Sequence, residues 1–314
     1  AEAVRLVAGA PIGASDLDRQ SEADWSAVTA GPWLAETLQA LRSPDHLATI
    51  DPGPELRGTL RPYQQVGLQW LHLLSGLGLG ACLADDMGLG KTIQVLALLL
   101  AHRRAGGGPR TSLLVAPASL LANWTAEIER FAPDLQVIVA HPSAMPARRL
   151  RALGADDLSQ ADLVITTYGS LLRLKWLEPT PWRLIVLDEA QAIKNPSAKQ
   201  TRAAKRLQAH SRIALTGTPI ENALHEVWSL FDFLVPGMLG TRQQFHERYE
   251  VPAAAGDGRE ATAELAAQIR PFILRRTKKQ VCSQLPPKME QIYYCELEGQ
   301  QRQLYADIMA AGNE

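Results

Sequence analysis

Between residues 80 and 215, short apolar runs alternate with longer stretches in which apolar positions recur every three or four residues. The runs are Gly80–Ala84, Ser112–Ala116, Leu135–Ala140, Asp162–Thr166, Leu184–Leu187 and Arg212–Leu215. Strands buried on both faces read as such continuous apolar runs, and their alternation with helical patterns is the rhythm of βαβ units. The pattern therefore predicts an α/β fold with a parallel sheet flanked by helices. Thr92–Arg104 reads as a helix, stopped by Gly106-Gly107-Gly108-Pro109. Leu224–Leu234, Arg242–Tyr249 and Ala263–Ile269 also carry helical patterns. The Ala/Gly/Asp-rich stretch Val251–Ala261 lies between the last two, and its middle is expected to be a flexible loop. Ahead of the alternating region, Pro- and Gly-punctuated segments flank helices expected at Asp16–Thr29 and Trp33–Leu41, with no visible chemistry. Trp25 and Trp33 there fit packing within their own domain or a docking surface.

The first apolar run opens into Asp85-Asp86-Met87-Gly88-Leu89-Gly90-Lys91-Thr92. A strand that turns through glycines into Lys-Thr and a helix lets backbone N–H groups cradle phosphates. The Lys adds a cation, the Thr hydroxyl a magnesium ligand, and the helix its positive end. The common form of this loop has Gly where Asp85 stands, so the loop is an incomplete signal by itself. A second element supplies what it lacks. The run Arg183–Leu187 delivers Asp188 and Glu189 at its carboxyl end, where open α/β sheets hold ligands. Asp188 would anchor hydrated magnesium with Thr92, and Glu189 would polarise an attacking water. A lone Gly-x-Gly-Lys-Thr fits a chance loop and a lone Asp-Glu a helix cap; the two in this order indicate an ATP-driven motor.

Five segments follow one another: Leu60-Arg61-Pro62-Tyr63-Gln64, the loop through Thr92, Leu114–Trp124, Asp188–Asn195 and Leu215–Asn222. In this series the chain closely resembles the SWI/SNF-type ATPases of helicase superfamily two, particularly the bacterial members, from about Leu56 to the C-terminus. The resemblance implies a RecA-like P-loop NTPase lobe with ATP and Mg2+ as cofactors, and translocation along double-stranded DNA without strand separation. It makes Gln64 the adenine reader, although on sequence alone Gln64 is a surface residue of the helix after Pro62. Asp86, Met87, Gly88, Leu89, Gly90, Lys91 and Thr92 bind the nucleotide. Asp188, Glu189, Gln191 and Lys91 carry the chemistry. Thr216, Gly217 and Thr218, otherwise a plain turn, link Glu189 and Gln191 to DNA binding. The DNA-facing candidates are Pro117, Ser119, Thr167, Lys194 and Asn195, whose hydroxyls, amides and single lysine suit phosphate contacts that do not read sequence. Trp124 is expected in the core. Arg275-Arg276 and Lys278-Lys279 are either a solvated charge run or a contact to DNA or a second lobe.

At 314 residues with 46% hydrophobic and 21% charged residues, the chain has the composition of a globular protein. Its 32 basic and 33 acidic residues leave a formal charge of −1, so any DNA contact must come from a local face. Cys82, Cys282 and Cys295 show neither disulfide nor metal-ligand spacing, which points to reduced thiols in the cytoplasm. No apolar stretch is long enough to span a bilayer, so no membrane partner is expected.

Starting with Ala and ending in mid-pattern, the sequence reads as a piece of a longer chain. The expected organisation is a helical N-terminal accessory segment (1–55), a first RecA-like lobe (56–235), a helical extension and linker (236–285), and the start of a truncated second lobe (286–314). The second lobe would bring arginines to the γ-phosphate, typically worth ~10³ to 10⁵ in rate, so this piece should bind nucleotide but hydrolyse it poorly. Three functional readings stand: a DNA-dependent ATPase motor, a remodeller of a DNA-bound protein complex such as a transcribing polymerase, and a nucleotide-binding module with little catalysis. The intact Gly90-Lys91-Thr92 and Asp188-Glu189 speak against the third.

Overall fold

Each of the six apolar runs is a strand in the computed structural model: β1 (Ala81–Leu83), β2 (Ser112–Ala116), β3 (Val137–Val139), β4 (Leu163–Thr167), β5 (Pro181–Leu187) and β6 (Gln208–Leu215). The structure describes residues 47–106, 111–217, 224–256, 258–281 and 298–311. They fall in two units, 1–281 and 282–314. Of the smaller unit the described part is one helix, Gly299–Ala311, and all that follows concerns the larger. The expected helices before Leu47, with Trp25 and Trp33, lie outside the described residues, as do Thr218 and residues 282–297.

A seventh strand, β7 (Ile273–Leu274), completes a sheet of order β3-β4-β2-β5-β6-β1-β7 in which every pairing is parallel. All residues of β2 and β4 are buried, which is why their sequences show no alternation. The register sets Leu83 of β1 beside Leu215 of β6, and Ala214 of β6 beside Leu187 of β5. The loops leaving β1, β6 and β5 therefore start level with one another, on one edge of the sheet.

The helices follow from their patterns. Helix α1 (Pro62–Gly76) starts at a proline, whose missing N–H costs nothing at that position. Helix α2 (Lys91–Ala105) is buried continuously from Ile93 to His102, so it is apolar nearly all round rather than striped. It ends at Gly106, whose φ of 64° is a left-handed stop. Helix α3 (Leu121–Phe131) buries only Leu121, Trp124 and Ile128, one side of the cylinder.

Val251–Ala261 is helical at its two ends, as far as Ala254 and again from Arg259, and of its middle Ala255, Gly256 and Gly258 form turns while Asp257 lies outside the described residues. Two expectations need correction. The sheet does not end near residue 235, because β7 lies in the stretch expected to be helical linker. Phe272 anchors it, fully buried and edge-on to Phe231 at 6.4 Å between centroids. Strand β6 begins four residues earlier than its apolar run, because Gln208, Ala209 and Ser211 pair in the sheet although Gln208, His210 and Ser211 carry polar side chains.

Helix α2 ends in a buried histidine with a consequence for pH. His102 Nε2 lies 3.0 Å from Ser75 Oγ, while its Nδ1 is buried with no hydrogen-bond partner among the described residues. A proton there would have no acceptor, and burial, aided by nearby Arg183, pushes the imidazole down to about 3. A folded pKa below the unfolded value of about 6.5 means that the unfolded chain takes up this proton first as pH falls. Stability contributed by the neutral ring is thus complete above about pH 6.5 and lost progressively as pH falls toward about 3. Between pH 7 and pH 5, His102 should cost on the order of 2 kcal/mol of unfolding free energy. His72 is lowered in the same direction by its own burial. Urea titrations at the two pH values should show a shallower loss for His102→Gln; an unchanged slope would refute the assignment.

Candidate nucleotide site

The loop that leaves β1 is pinned at both ends. Ala84 N–H donates to Leu274 O of β7 at 2.8 Å, and Asp86 N–H donates to Arg276 O at 3.0 Å. Leu89 is buried, and its carbonyl accepts from Tyr63 Oη and Gln64 Nε2, both at 3.1 Å. Gly88 and Gly90 have φ of 84° and 75°. At Gly90 a Cβ would also collide with the Gln64 amide, so a side chain there is excluded twice. Met87 is exposed at the tip, and Thr92 lies in the first turn of α2.

Gln64 is buried rather than a surface residue. Its Oε1 accepts from Arg61 N–H at 2.9 Å while its Nε2 donates to Leu89 O. Nε2 also reaches Tyr63 Oη at 3.5 Å, and one oxygen lone pair is left unused by these bonds.

Lys91 folds back over the loop, donating from Nζ to Asp85 O at 2.7 Å and Asp86 O at 3.4 Å. Burial lowers its pKa, opposed by the carboxylates of Asp85, Glu189, Asp188 and Asp86 around it. An ammonium resting on carbonyls at a helix N-terminus, where the helix dipole opposes a cation, is placed to transfer to an anion.

Asp188 ends β5. Its Oδ2 accepts from Trp124 Nε1 at 2.7 Å and its Oδ1 from Glu189 N–H at 3.0 Å, while Tyr168 Oη donates to its carbonyl at 2.8 Å. Burial raises the carboxyl pKa, and the Trp124 and backbone N–H bonds work against that rise. Trp124 is a core residue, as the sequence indicates, but its indole N–H also fixes Asp188. Nothing in the local sequence announces that contact, since 64 residues separate the partners.

Glu189 is the one non-glycine residue with positive φ among the described residues, at φ 49° and ψ 57°. That conformation costs roughly 1–2 kcal/mol for an L-residue. It turns the chain so that Glu189 Oε2 accepts from Gln191 Nε2 at 2.6 Å, and Gln191 Oε1 accepts from Thr216 Oγ1 at 3.1 Å. Thr216 N–H donates to Leu83 O, the end of β1, at 3.2 Å. A hydrogen-bonded path thus runs from β1 through Thr216 and Gln191 to Glu189, across the adjacent ends of β1, β6 and β5. Gly217 follows Thr216, with Thr218 outside the described residues.

The DNA-facing candidates lie at the ends of β4, β2 and β5, which are neighbours in the sheet. Ser119 is exposed and Pro117 half-buried in the loop after β2. Thr167 is buried, its hydroxyl 3.0 Å from Ser170 Oγ, so that hydroxyl shapes its own loop. Lys194 is exposed and 3.5 Å from Glu226, a surface pair worth little energy. Asn195 Oδ1 accepts from Ser197 N–H at 2.9 Å and Ser197 Oγ at 2.7 Å. The residue that sequence reasoning missed is Arg276. It is neither a solvated charge nor a surface contact but half-buried, paired with the fully buried Asp85.

Among the described residues, no three His, Cys, Asp or Glu side chains are grouped to hold a metal ion. Magnesium held by one carboxylate, waters and substrate phosphates needs no such group. No described helix is long and apolar enough to cross a membrane.

Comparison with known proteins accords with this geometry. Residues 63–313 match the SNF2-related domain. The chain is 41% identical over 283 residues to the putative ATP-dependent helicase/translocase YwqA of Bacillus subtilis, covering 88% of this chain and 30% of that protein. It is 42% identical over 276 residues to the TATA-binding protein-associated factor mot1 of Aspergillus fumigatus, covering 81% of this chain and 14% of the relative. The chain therefore spans less than a third of either relative. Among solved structures, the Sulfolobus solfataricus SWI2/SNF2 ATPase core in complex with dsDNA superposes with a TM-score of 0.69 at 41% identity, over 85% of this chain and 55% of that one. With its parallel RecA-like sheet, its loop and acidic pair on the ends of β1 and β5 with β6 between them, and these matches, the chain belongs to the SNF2 family of ATP-dependent helicase-type proteins.

Proposed function

We propose that this chain is the first motor lobe of an ATP-dependent double-stranded DNA translocase or remodeller, binding Mg-ATP and duplex DNA and needing a second RecA-like lobe for efficient hydrolysis. The observation that carries the reading is the path Leu83–Thr216–Gln191–Glu189, which joins the phosphate loop to the acidic pair through hydrogen bonds. The loop amides from Gly88 to Thr92 would cradle phosphates, and Lys91 would exchange its carbonyl partners for β- and γ-phosphate oxygens. Thr92 and Asp188 would hold magnesium, partly through water; when bound, the ion neutralises charge developing on the phosphates. Trp124 keeps the Asp188 carboxylate aimed. Glu189 would accept the proton of the attacking water at its carboxylate, with Gln191 fixing its orientation.

Strand β5 serves both functions on this reading. Asp188 and Glu189 follow it directly, and a single 3-10 turn, Ala190–Ile193, separates them from Lys194 and Asn195. A shift at Glu189 would therefore reach the DNA row through one rigid turn. The remaining arginine requirement falls to the second lobe, because Arg276, the arginine bonded to this loop, is already committed to Asp85. The three cysteines, without disulfide or metal-ligand spacing, favour the cytoplasm; burial pushes the Cys82 thiol up to about 12, which leaves it unreactive.

Two measurements test the reading. Duplex DNA should stimulate ATP hydrolysis by the full-length protein and have little effect on the 314-residue chain; strong stimulation of the latter would refute the need for a second lobe. Binding to random-sequence duplexes should be weak and salt-dependent, with a slope of about −0.9 per neutralised phosphate. Lys194→Ala should lower affinity alike for all sequences and reduce the slope by about one. Sequence preference that survives high salt would show that base edges are read. The mot1 relative, named as a TATA-binding protein-associated factor, favours a second reading in which the same motor remodels a DNA-bound protein complex. ATP-dependent removal of such a complex without net travel along bare duplex would select it.

A further inference from the structure

We infer that Arg276 is a positioning residue of the phosphate loop: by neutralising buried Asp85 and tying it to the segment that follows β7, it leaves Lys91 free to serve phosphate. The inference rests on the nucleotide-binding reading of the loop. Asp85 stands where this kind of loop ordinarily has glycine, and it is completely buried. A carboxylate inside the wall of a phosphate site works against its purpose, since it repels the ligand and attracts the lysine that should meet it.

The structure surrounds that charge with one guanidinium. Arg276 Nε donates to Asp85 Oδ1 at 2.9 Å, Nη2 donates to Oδ2, and the backbone N–H of Arg276 adds a bond to Oδ1 at 3.1 Å. Such a fork, unlike an ammonium, satisfies both oxygens at once. The rest of the guanidinium is used as well. Nη1 donates to Tyr63 O, Nη2 also reaches Gln94 Oε1 at 2.9 Å, and the plane lies over the Tyr63 ring at 5.3 Å. Gln94 Nε2 in turn approaches Asp85 Oδ2 at 3.4 Å. Room for the cluster comes from Gly67 of α1, where a Cβ would overlap Gln94 and press on Nη2.

The same segment grips the loop on both sides of the pair. Asp86 N–H bonds Arg276 O, and Lys278 N–H bonds Asp86 Oδ2 at 3.0 Å. Tyr63 closes the circuit, since its hydroxyl bonds Leu89 O while its carbonyl receives Arg276. Three pieces of chain far apart in sequence thereby fix one loop: the start of α1, the loop itself, and the residues after β7. Lys91 rests on the Asp85 carbonyl, and the Asp85 carboxylate is the foremost of the charges that hold its proton. With Arg276 removed, the uncompensated carboxylate would compete with phosphate for that ammonium.

Calorimetric titration of the 314-residue chain with Mg-ATP tests this, using wild type, R276Q, R276K and the double variant D85N/R276Q. R276Q should weaken binding about tenfold or more, since removing one partner leaves a buried charge unpaired. D85N/R276Q, with no charge left to compensate, should recover to within about threefold of wild type, a rescue that a merely structural arginine would not give. R276K keeps the cation but loses the fork, so it should lose affinity by less than R276Q, about three- to tenfold; it serves as the measured variant should R276Q fail to fold. Wild-type affinity in R276Q or in R276K, or no recovery in the double variant, would each overturn the inference. Failure of wild type itself to bind nucleotide would instead sink the reading of the site.

Discussion

In the full-length protein, Glu189→Gln is expected to reduce ATP turnover by about 10²- to 10⁴-fold, the usual contribution of a positioned general base. Nucleotide affinity should hardly change. The substitution is nearly isosteric, and the new amide oxygen can still accept from Gln191 Nε2, so the path to Thr216 survives. What it removes is the carboxylate's capacity to take a proton from water. Single-turnover hydrolysis alongside a binding titration separates the two effects. Turnover near the wild-type rate would remove Glu189 from the role of base.

Lys91→Ala should have the opposite profile, with the loss already visible in binding. A charge-assisted hydrogen bond contributes about 1.5–3 kcal/mol, so affinity for Mg-ATP should fall roughly 10- to 100-fold. The fold should tolerate the change. Among the described residues Lys91 donates to loop carbonyls alone, and its half-buried place works against its charge, in line with its lowered pKa. Titration calorimetry with parallel thermal melts would measure both quantities. Equal affinity in the variant would mean that the loop does not hold phosphates through this lysine.

The features legible in the sequence are those whose physical cause is local. Strands β2 and β4 are buried on both faces, so each reads as an unbroken apolar run. Gly90, Lys91 and Thr92 adjoin one another because a phosphate cradle is a single turn of chain. Asp188 and Glu189 are recognisable because they follow such a run directly. The features that escaped depend on distant partners. Two residues suffice for β7 because Phe272 beside it is fully buried, and a strand of two residues leaves no period to detect. Trp124 could be expected in the core because a duplex exposes no base faces for it to stack on, but the direction of its N–H depends on where β5 ends. Asp85 looked like a defect in the loop motif because its counterion lies 191 residues away. The left-handed turn at Glu189 is likewise invisible in sequence, since the residue type gives no warning of it.

That separation also orders events while the chain is being made. Residue 276 leaves the ribosome 191 positions after residue 85, an interval of about 10–40 s at typical synthesis rates. Until then β1 has no neighbour on the β7 side, and the Asp85 carboxylate must stay hydrated rather than enter the lobe unpaired. The nascent lobe can assemble β2, β4, β5 and β6 early, but the wall of its phosphate loop closes only when Phe272 and Arg276 arrive together. Completion of the nucleotide pocket is thereby timed to the end of this lobe's own synthesis, so a ribosome-bound chain stalled short of residue 276 carries a folded sheet with an unfinished loop.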